Sequence, residues 1–262
     1  MRQGHVSIIV GGSRGIGQAV ARALAARGGN VFVIGRDRQR VDETVNALAA
    51  PRMAQHLGCV LDVSDPDDMS AMAALCAEKF GRVDLLVFSA AVSGFEDITK
   101  IPPQILDLPL AAWRKALDVN LNGAFLSNRA VLPLMIRQGE GDILNIGSAL
   151  TPRGMRGRAH AAAYSATKFA LAAFTHCLSA EVIEHGIRVN VVFPGPISTP
   201  LIEGTTLAGE FGGQMTAEHF AQALVHLLEF PVDCVAADPH ILPMMGGTST
   251  VRSGGAVRGA RS

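Results

Sequence analysis

Short apolar runs, many of them β-branched, alternate along the chain with longer Ala- and Leu-rich stretches whose apolar positions recur at helical spacing. The runs predict strands at 7–10, 31–34, 56–61, 85–89, 142–146 and 188–193, with a short last strand at 240–243. The longer stretches predict helices at 16–27, 38–50, 65–79, 111–135, 161–185 and 217–230. The punctuation agrees with these bounds. Gly28-Gly29 follows the first helix, Pro51 stops the second, Pro66 lies in the first turn of the third, and Gly81 follows its end. Ser64 and Thr216 are placed to cap the helices at 65 and 217. Nearly continuous apolar strands, alternating with helices, predict an α/β fold: a doubly wound parallel sheet with helices on both faces. No repeat or linker divides the chain. One domain is expected over 1–251, followed by a Gly/Ser/Arg-rich, flexible tail at 252–262.

Composition narrows the function classes. With 48% hydrophobic and 18% charged residues among 262, most of the chain cannot remain disordered. Lys+Arg and Asp+Glu are both 23, so no excess of positive charge provides the footprint of a nucleic-acid binder. The four cysteines, Cys59, Cys76, Cys177 and Cys234, form no C-x-x-C pair, so they read as small hydrophobes and no metal site is expected. No uncharged apolar run reaches the roughly 18 residues of a membrane span. The run Val6–Val10 is too short for a secretory signal core, and a cytoplasmic location is expected.

Two patterns carry candidate chemistry. The first is Gly11-Gly12-Ser13-Arg14-Gly15-Ile16-Gly17, where strand one hands over to helix one. Small residues there permit a tight turn and let a pyrophosphate approach the helix N-terminus. At the end of strand two, where dinucleotide sites select their cofactor, stands Arg36-Asp37. Arg36 and Arg14 can converge on a phosphate, which favours NADP(H). Asp37 is the competing feature, because an acid near this position would accept ribose hydroxyls and favour NAD(H). Asp62-Val63, after strand three, can reach an adenine edge, with a capping or turn role as the alternative for Asp62. The second pattern is Tyr164 and Lys168, four residues apart and so on one helical face. An ammonium beside a phenol lowers its pKa and makes it a usable acid–base. Ser148 follows strand five, at the edge where open α/β sheets present ligands with polar groups. Asn120 sits in a polar island, Asp118–Asn122, within an apolar helical pattern, where it can hold a water or interrupt the helix.

Taken in order, these pieces resemble the short-chain dehydrogenase/reductase family from about Val6 to Gly247. The matches are Gly11, Gly15 and Gly17, then Asp62-Val63, then Asn120, Ser148, Tyr164 and Lys168. They continue through Arg188–Val192 and Pro194-Gly195-Pro196-Ile197-Ser198-Thr199. The resemblance implies a Rossmann-type oxidoreductase. Hydride would pass between a nicotinamide and a carbonyl or secondary alcohol, as in ketone or 3-oxoacyl reductases. It implies that Tyr164 transfers the proton and Ser148 bonds the reacting oxygen. Lys168 would hold ribose hydroxyls and depress the tyrosine pKa, and Asn120 would keep a relay water. Cofactor contacts are implied for Gly11, Ser13, Arg14, Gly15, Ile16, Gly17, Arg36, Asp62, Val63, Ala90, Tyr164, Lys168, Pro194, Gly195, Ile197 and Thr199. Residues 200–215 would form a short substrate lid, and a homodimer or homotetramer is implied.

Three features depart from the family pattern. Val10 stands where the family has Thr. Phe88-Ser89-Ala90-Ala91 replaces Asn-Asn-Ala-Gly, which removes the amides that tie the central sheet and narrows the approach to the adenosine ribose. Ser148 and Tyr164 lie sixteen residues apart, and the extra loop carries Arg153, Arg156, Arg158 and His160. It reads either as a solvated basic loop or as a gate for an anionic or carrier-bound acyl substrate. A catalytically silent cofactor-binding sensor or scaffold is the alternative function. An epimerase or dehydratase that recycles its hydride is a third.

Overall fold

The computed structural model describes residues 4–49, 54–93, 103–149, 160–199, 215–231, 234 and 236–243. The predicted lid from 200 to 214, the basic loop residues Arg153, Arg156 and Arg158, and the tail lie outside the described residues. The strands are β1 (Val6–Val10), β2 (Asn30–Gly35), β3 (His56–Val60), β4 (Leu85–Phe88), β5 (Gly141–Ile146) and β6 (Ile187–Pro194). Three two-residue strands follow: β7 (Ile197–Ser198), β8 (Met215–Thr216) and β9 (His240–Ile241). Seven of them form one parallel sheet in the order β3-β2-β1-β4-β5-β6-β9, as the alternating pattern predicts. The separate β7–β8 pair was not foreseen.

The helices are α1 (Gly15–Ala26), α2 (Arg38–Asn46), α3 (Pro66–Phe80), α4 (Leu110–Leu117), α5 (Gly123–Gln138), α6 (Ala162–Val182) and α7 (Ala217–Leu228). They divide between the two faces of the sheet. Val20 and Leu24 of α1, Val41 of α2 and Phe220 and Leu224 of α7 pack with Ile9, Val33 and Val87 on one side. Met69 and Met72 of α3, Val131 and Met135 of α5 and Leu171 and Leu178 of α6 cover the other. Strands β1 and β4 are therefore buried throughout, which explains why all their residues but Ser7 are apolar.

Two local expectations change. Ser64 does not cap α3. Its backbone N–H and hydroxyl both donate to Asp62 Oδ1, at 2.9 and 2.6 Å, and Asp65 takes the cap by accepting from the Asp67 and Asp68 amides. Thr216 caps α7 as expected, accepting from the His219 amide at 3.1 Å. The helix predicted over 111–135 is two α-helices joined by a π-helical turn, Asp118–Asn122, at the polar island.

Chain direction places the functional crevice. From β1 the strands run outward through β2 to β3; from β4 they run the other way through β5 to β6. Ligands bind where this order reverses, beyond the carboxyl ends of β1 and β4. Behind that edge, a buried amide pair ties the sheet to its helices. Asn128 and Asn145 bond reciprocally at 3.1 and 3.2 Å, and Asn145 also donates to Thr175 Oγ1 at 3.0 Å. Asn145→Ala would leave Asn128 Oδ1 without its partner, while Nδ2 keeps its bond to Ala124 O at 2.6 Å, and a loss of about 1–3 kcal/mol in urea unfolding is expected. The Asn128→Ala/Asn145→Ala double variant should lose less than the sum of the two single changes.

Candidate active site

Beyond the ends of β1, β2, β3 and β4 lies a cleft of about 330 Å³, within the range of small-ligand sites. Of the predicted residues, Gly11, Ser13, Arg14, Gly15, Ile16, Arg36, Val63, Ala90 and Thr199 line it, whereas Asn120, Ser148, Tyr164 and Lys168 do not. Gly11 has φ +78°, and a Cβ there would stand 2.6 Å from the Ala90 amide nitrogen, so only glycine lets these two loops meet. Gly17 is buried against Gly11 in the same way. The first turn of α1 carries no side-chain cap and no acidic residue, which leaves its N–H groups and positive dipole end for an anion. A dinucleotide pyrophosphate fits this cradle.

Not every predicted contact reaches the cleft. Asp62 does not line it: its carboxylate is held by Ser64, and its own amide donates to Asp68 Oδ2 at 2.7 Å. Hydrogen bonding to Ser64 holds that carboxyl below its usual pKa. The turn role weighed for Asp62 is thus the one its side chain plays. Pro194 ends β6, Gly195 donates its N–H to Ile241 O at 2.8 Å, and Ile197 is buried with the α7 cluster. Asp37 lines the cleft, but one oxygen accepts the Arg40 amide at 3.2 Å as the cap of α2, and the other lies 3.3 Å from Arg40 Nε. Arg40, Leu61, Val92 and Val119 also line the cleft and were not foreseen. Only the helix start at 38 could have drawn attention to Arg40, one turn beyond Arg36.

The catalytic candidates gather where β5 meets α6. Ser148 is buried two residues beyond the end of β5, and the Tyr164 hydroxyl hydrogen-bonds it. Lys168 Nζ lies over the Tyr164 ring, 5.7 Å from its centroid, and donates to Ile146 O at 2.6 Å. Asn120 is fully buried at the π-helical turn. Its Nδ2 donates to Val92 O at 2.9 Å and Thr167 Oγ1 at 3.0 Å, and its Oδ1 accepts the Val92 amide at 2.8 Å. Thr167 in turn donates to Tyr164 O at 2.7 Å. Asn120 therefore pins the segment after β4, where the sequence lacks the family amides, and links it to the tyrosine helix.

The expected direction of the tyrosine pKa is corrected. Burial pushes the Tyr164 phenol up to about 12, although its bond to Ser148 opposes the shift. Burial also pulls the Lys168 ammonium down to about 7. Spacing brings the two groups together, but enclosure penalises both charged forms, and a lysine half-neutral near pH 7 exerts little field on its neighbour.

The short chain dehydrogenase family model matches residues 5–208. The chain belongs to the short chain dehydrogenase family. It is 34% identical over 250 residues to a bovine (Bos taurus) 3-oxoacyl-[acyl-carrier-protein] reductase, spanning 92% of this chain and 97% of that one. It is 34% identical over 203 residues to a 2-dehydro-3-deoxy-L-rhamnonate dehydrogenase (NAD(+)) of a Sphingomonas species, spanning 76% and 75%. A solved metagenomic short-chain oxidoreductase in complex with NADP superposes with a TM-score of 0.75 at 26% identity, covering 93% of this chain and 98% of that one.

For a short chain dehydrogenase, the apolar departures pack well. Val10 and Phe88 are paired across β1 and β4, and both are fully buried. The buried lysine gives the family site a pH signature. Unfolded, Lys168 keeps its proton to its ordinary 10.5; folded, only to about 7. Between these values the unfolded chain binds more protons, so the stability of the cofactor-free protein should rise with pH. The Tyr164 phenol ionises near 10.0 unfolded and near 12 folded, so its contribution falls above pH 10. Urea unfolding across this range should show the rise, and Lys168→Met should flatten it.

Proposed function

We propose that this chain is an NADP(H)-dependent oxidoreductase that transfers hydride between the cofactor and a ketone, 3-oxoacyl or secondary-alcohol substrate. The observation that carries the cofactor choice is the state of Asp37. Its carboxylate caps α2 and pairs with Arg40, so the acid that would favour NAD(H) is already engaged. Arg14 and Arg36 both line the cleft, near enough for the Arg36 charge to act on Arg14, and a 2′-phosphate would sit between them. The relatives include both a protein named for NAD(+) and a structure holding NADP, so the choice rests on this chain's own residues.

When bound, the nicotinamide supplies the hydride. Gly11, Gly15 and the open first turn of α1 would hold the pyrophosphate, and Thr199, beside Gly15, would flank it. Tyr164 gives its phenolic proton to the carbonyl oxygen in reduction. Ser148 hydrogen-bonds that oxygen as negative charge builds on it. Lys168 would keep its bond to the Ile146 carbonyl, offer its remaining protons to the ribose hydroxyls and favour the phenolate left behind.

Similarity to a carrier-protein reductase supports an anionic or carrier-bound acyl substrate, with the basic loop that holds Arg153, Arg156 and Arg158 as its gate. A cytoplasmic homodimer or homotetramer forms part of this proposal. No helix of the described residues is long and apolar enough to cross a membrane, and Phe125 is exposed on α5 with Arg129 stacked 5.0 Å from its ring. A cofactor-binding sensor is the second reading, favoured by Phe88-Ser89 at the missing amide positions. A panel of ketones and 3-oxoacyl thioesters, followed by NADPH and NADH oxidation, separates the two. Tyr164→Phe should cut turnover by about a hundredfold or more while NADPH still binds in a fluorescence titration. Persistent turnover would overturn the mechanism.

A further inference from the structure

The short strap that leads into β9 carries two local irregularities. Asp238 has a left-handed backbone, φ +48°, which is uncommon for any residue but glycine. Two residues on, His240 Nδ1 donates to Asp238 O at 3.0 Å, which leaves Nε2 of the same ring buried with no partner. Each departure costs free energy, so contacts outside the strap must hold it in this shape. One of them comes from the helix that carries the tyrosine. His176 Nε2 on α6 donates to Asp238 Oδ1 at 2.6 Å. The imidazole is 57% exposed and the carboxylate only 10%, so the aspartate is the inner, fixed member of the pair.

From Asp238 the contacts run on to the active site. Pro239 O accepts the Phe193 amide at 2.9 Å, and Ile241 O accepts the Gly195 amide at 2.8 Å. The His240 ring stacks on Phe193, centroids 4.6 Å apart. Pro194 O, between these bonds, accepts the Ala149 amide at 2.9 Å, and Ala149 adjoins Ser148. Farther along, Thr199 lines the cleft beside Gly15. The contacts close into a ring. It passes from Tyr164 along α6 to His176, through Asp238 and β9 to Pro194, and back by Ala149 to Ser148, which bonds the Tyr164 hydroxyl. Residues 194–199 thus run from beside the serine to the pyrophosphate cradle. A hydride donor that acts at Ser148 while its phosphates rest at Gly15 must lie along them.

We infer that Asp238 is a positioning residue for the nicotinamide half of the cofactor: tied to His176, it fixes β9 and, through β9, residues 194–199 against the tyrosine helix. This rests on the oxidoreductase reading, though not on the choice between NADP(H) and NAD(H). Neither member of the pair is a catalytic residue. His176 is twelve residues from Tyr164, about 18 Å along the helix, and acts only through the strap.

The test is calorimetry on the full chain with whole dinucleotides and their adenosine halves: NADPH against 2′,5′-ADP, and NADH against 5′-AMP. His176→Ala removes the tie at an exposed position where alanine favours the helix, so the fold should survive. It should weaken the whole dinucleotide that wild type prefers by about three- to tenfold, within the range that connected contacts transmit, and leave the adenosine half unchanged. His176→Gln, whose amide can donate to the same carboxylate, should recover most of the loss. Asp238→Gly suits the left-handed backbone but lacks the carboxylate, so it should match His176→Ala. The double variant should bind no more weakly than either single one. If His176→Ala and Asp238→Gly leave the whole dinucleotides unchanged, or weaken wholes and halves alike, the positioning role is wrong and the oxidoreductase reading stands. If wild type binds neither NADPH nor NADH, that reading fails and takes this inference with it.

Discussion

The catalytic end of the molecule depends on a buried ammonium resting on a strand carbonyl. Lys168 Nζ donates to Ile146 O at 2.6 Å. Ile146 is the last residue of β5, two before Ser148, and Lys168 lies one helical turn beyond Tyr164. That single bond therefore sets the serine and the tyrosine against each other. Burying an ammonium with one partner is costly, and the lysine responds by giving up its proton more easily. The site accepts this cost where the chemistry needs a dry, fixed geometry. The buried amides of Asn120, Asn128 and Asn145 brace the same helix from behind.

The cleft beyond β1 and β2, which Ser148, Tyr164 and Lys168 do not line, has a different electrical character. There the arginines are partly or fully exposed, charged and crowded, and α1 adds a positive dipole end. The arginine cleft suits phosphates through charge, while Ser148, Tyr164 and Lys168 sit where burial penalises charge. The sheet separates the two tasks because β1 and β2 lead to the grip and β5 leads to the proton donor. The close approach of Gly11 to Ala90 joins the two halves.

Much of this was legible in the sequence because it is local. Alternating apolar runs announce the parallel sheet, and a glycine string between strand and helix announces the cradle. A four-residue interval puts Tyr164 and Lys168 on one face. What remained hidden depends on contacts between distant segments. Spacing reports that a phenol and an ammonium are neighbours but not how deeply they are enclosed, and enclosure sets the direction of the Tyr164 shift. Ser64 was the expected cap of α3, but its hydroxyl is bonded to Asp62 and the cap is Asp65, one residue on. The Asn120 clamp on Val92 spans 28 residues, and nothing near either position signals it. Asp37 was ambiguous on paper because both roles need a carboxylate there; only its bonds to Arg40 separate them.

The π-helical turn at Asp118–Asn122 is in effect one extra residue wound into an otherwise continuous rod. Each residue of an α-helix turns the rod by about 100°. Shortening the rod by one residue there would give better backbone geometry, yet everything downstream would face a new direction. Gly123 would no longer meet Val63, whose side chain occupies the place of a Cβ, and Asn128 would lose sight of Asn145. The locally poorer winding is thus a phase correction between two helices that serve different walls, and length variation at this point is closed to the chain.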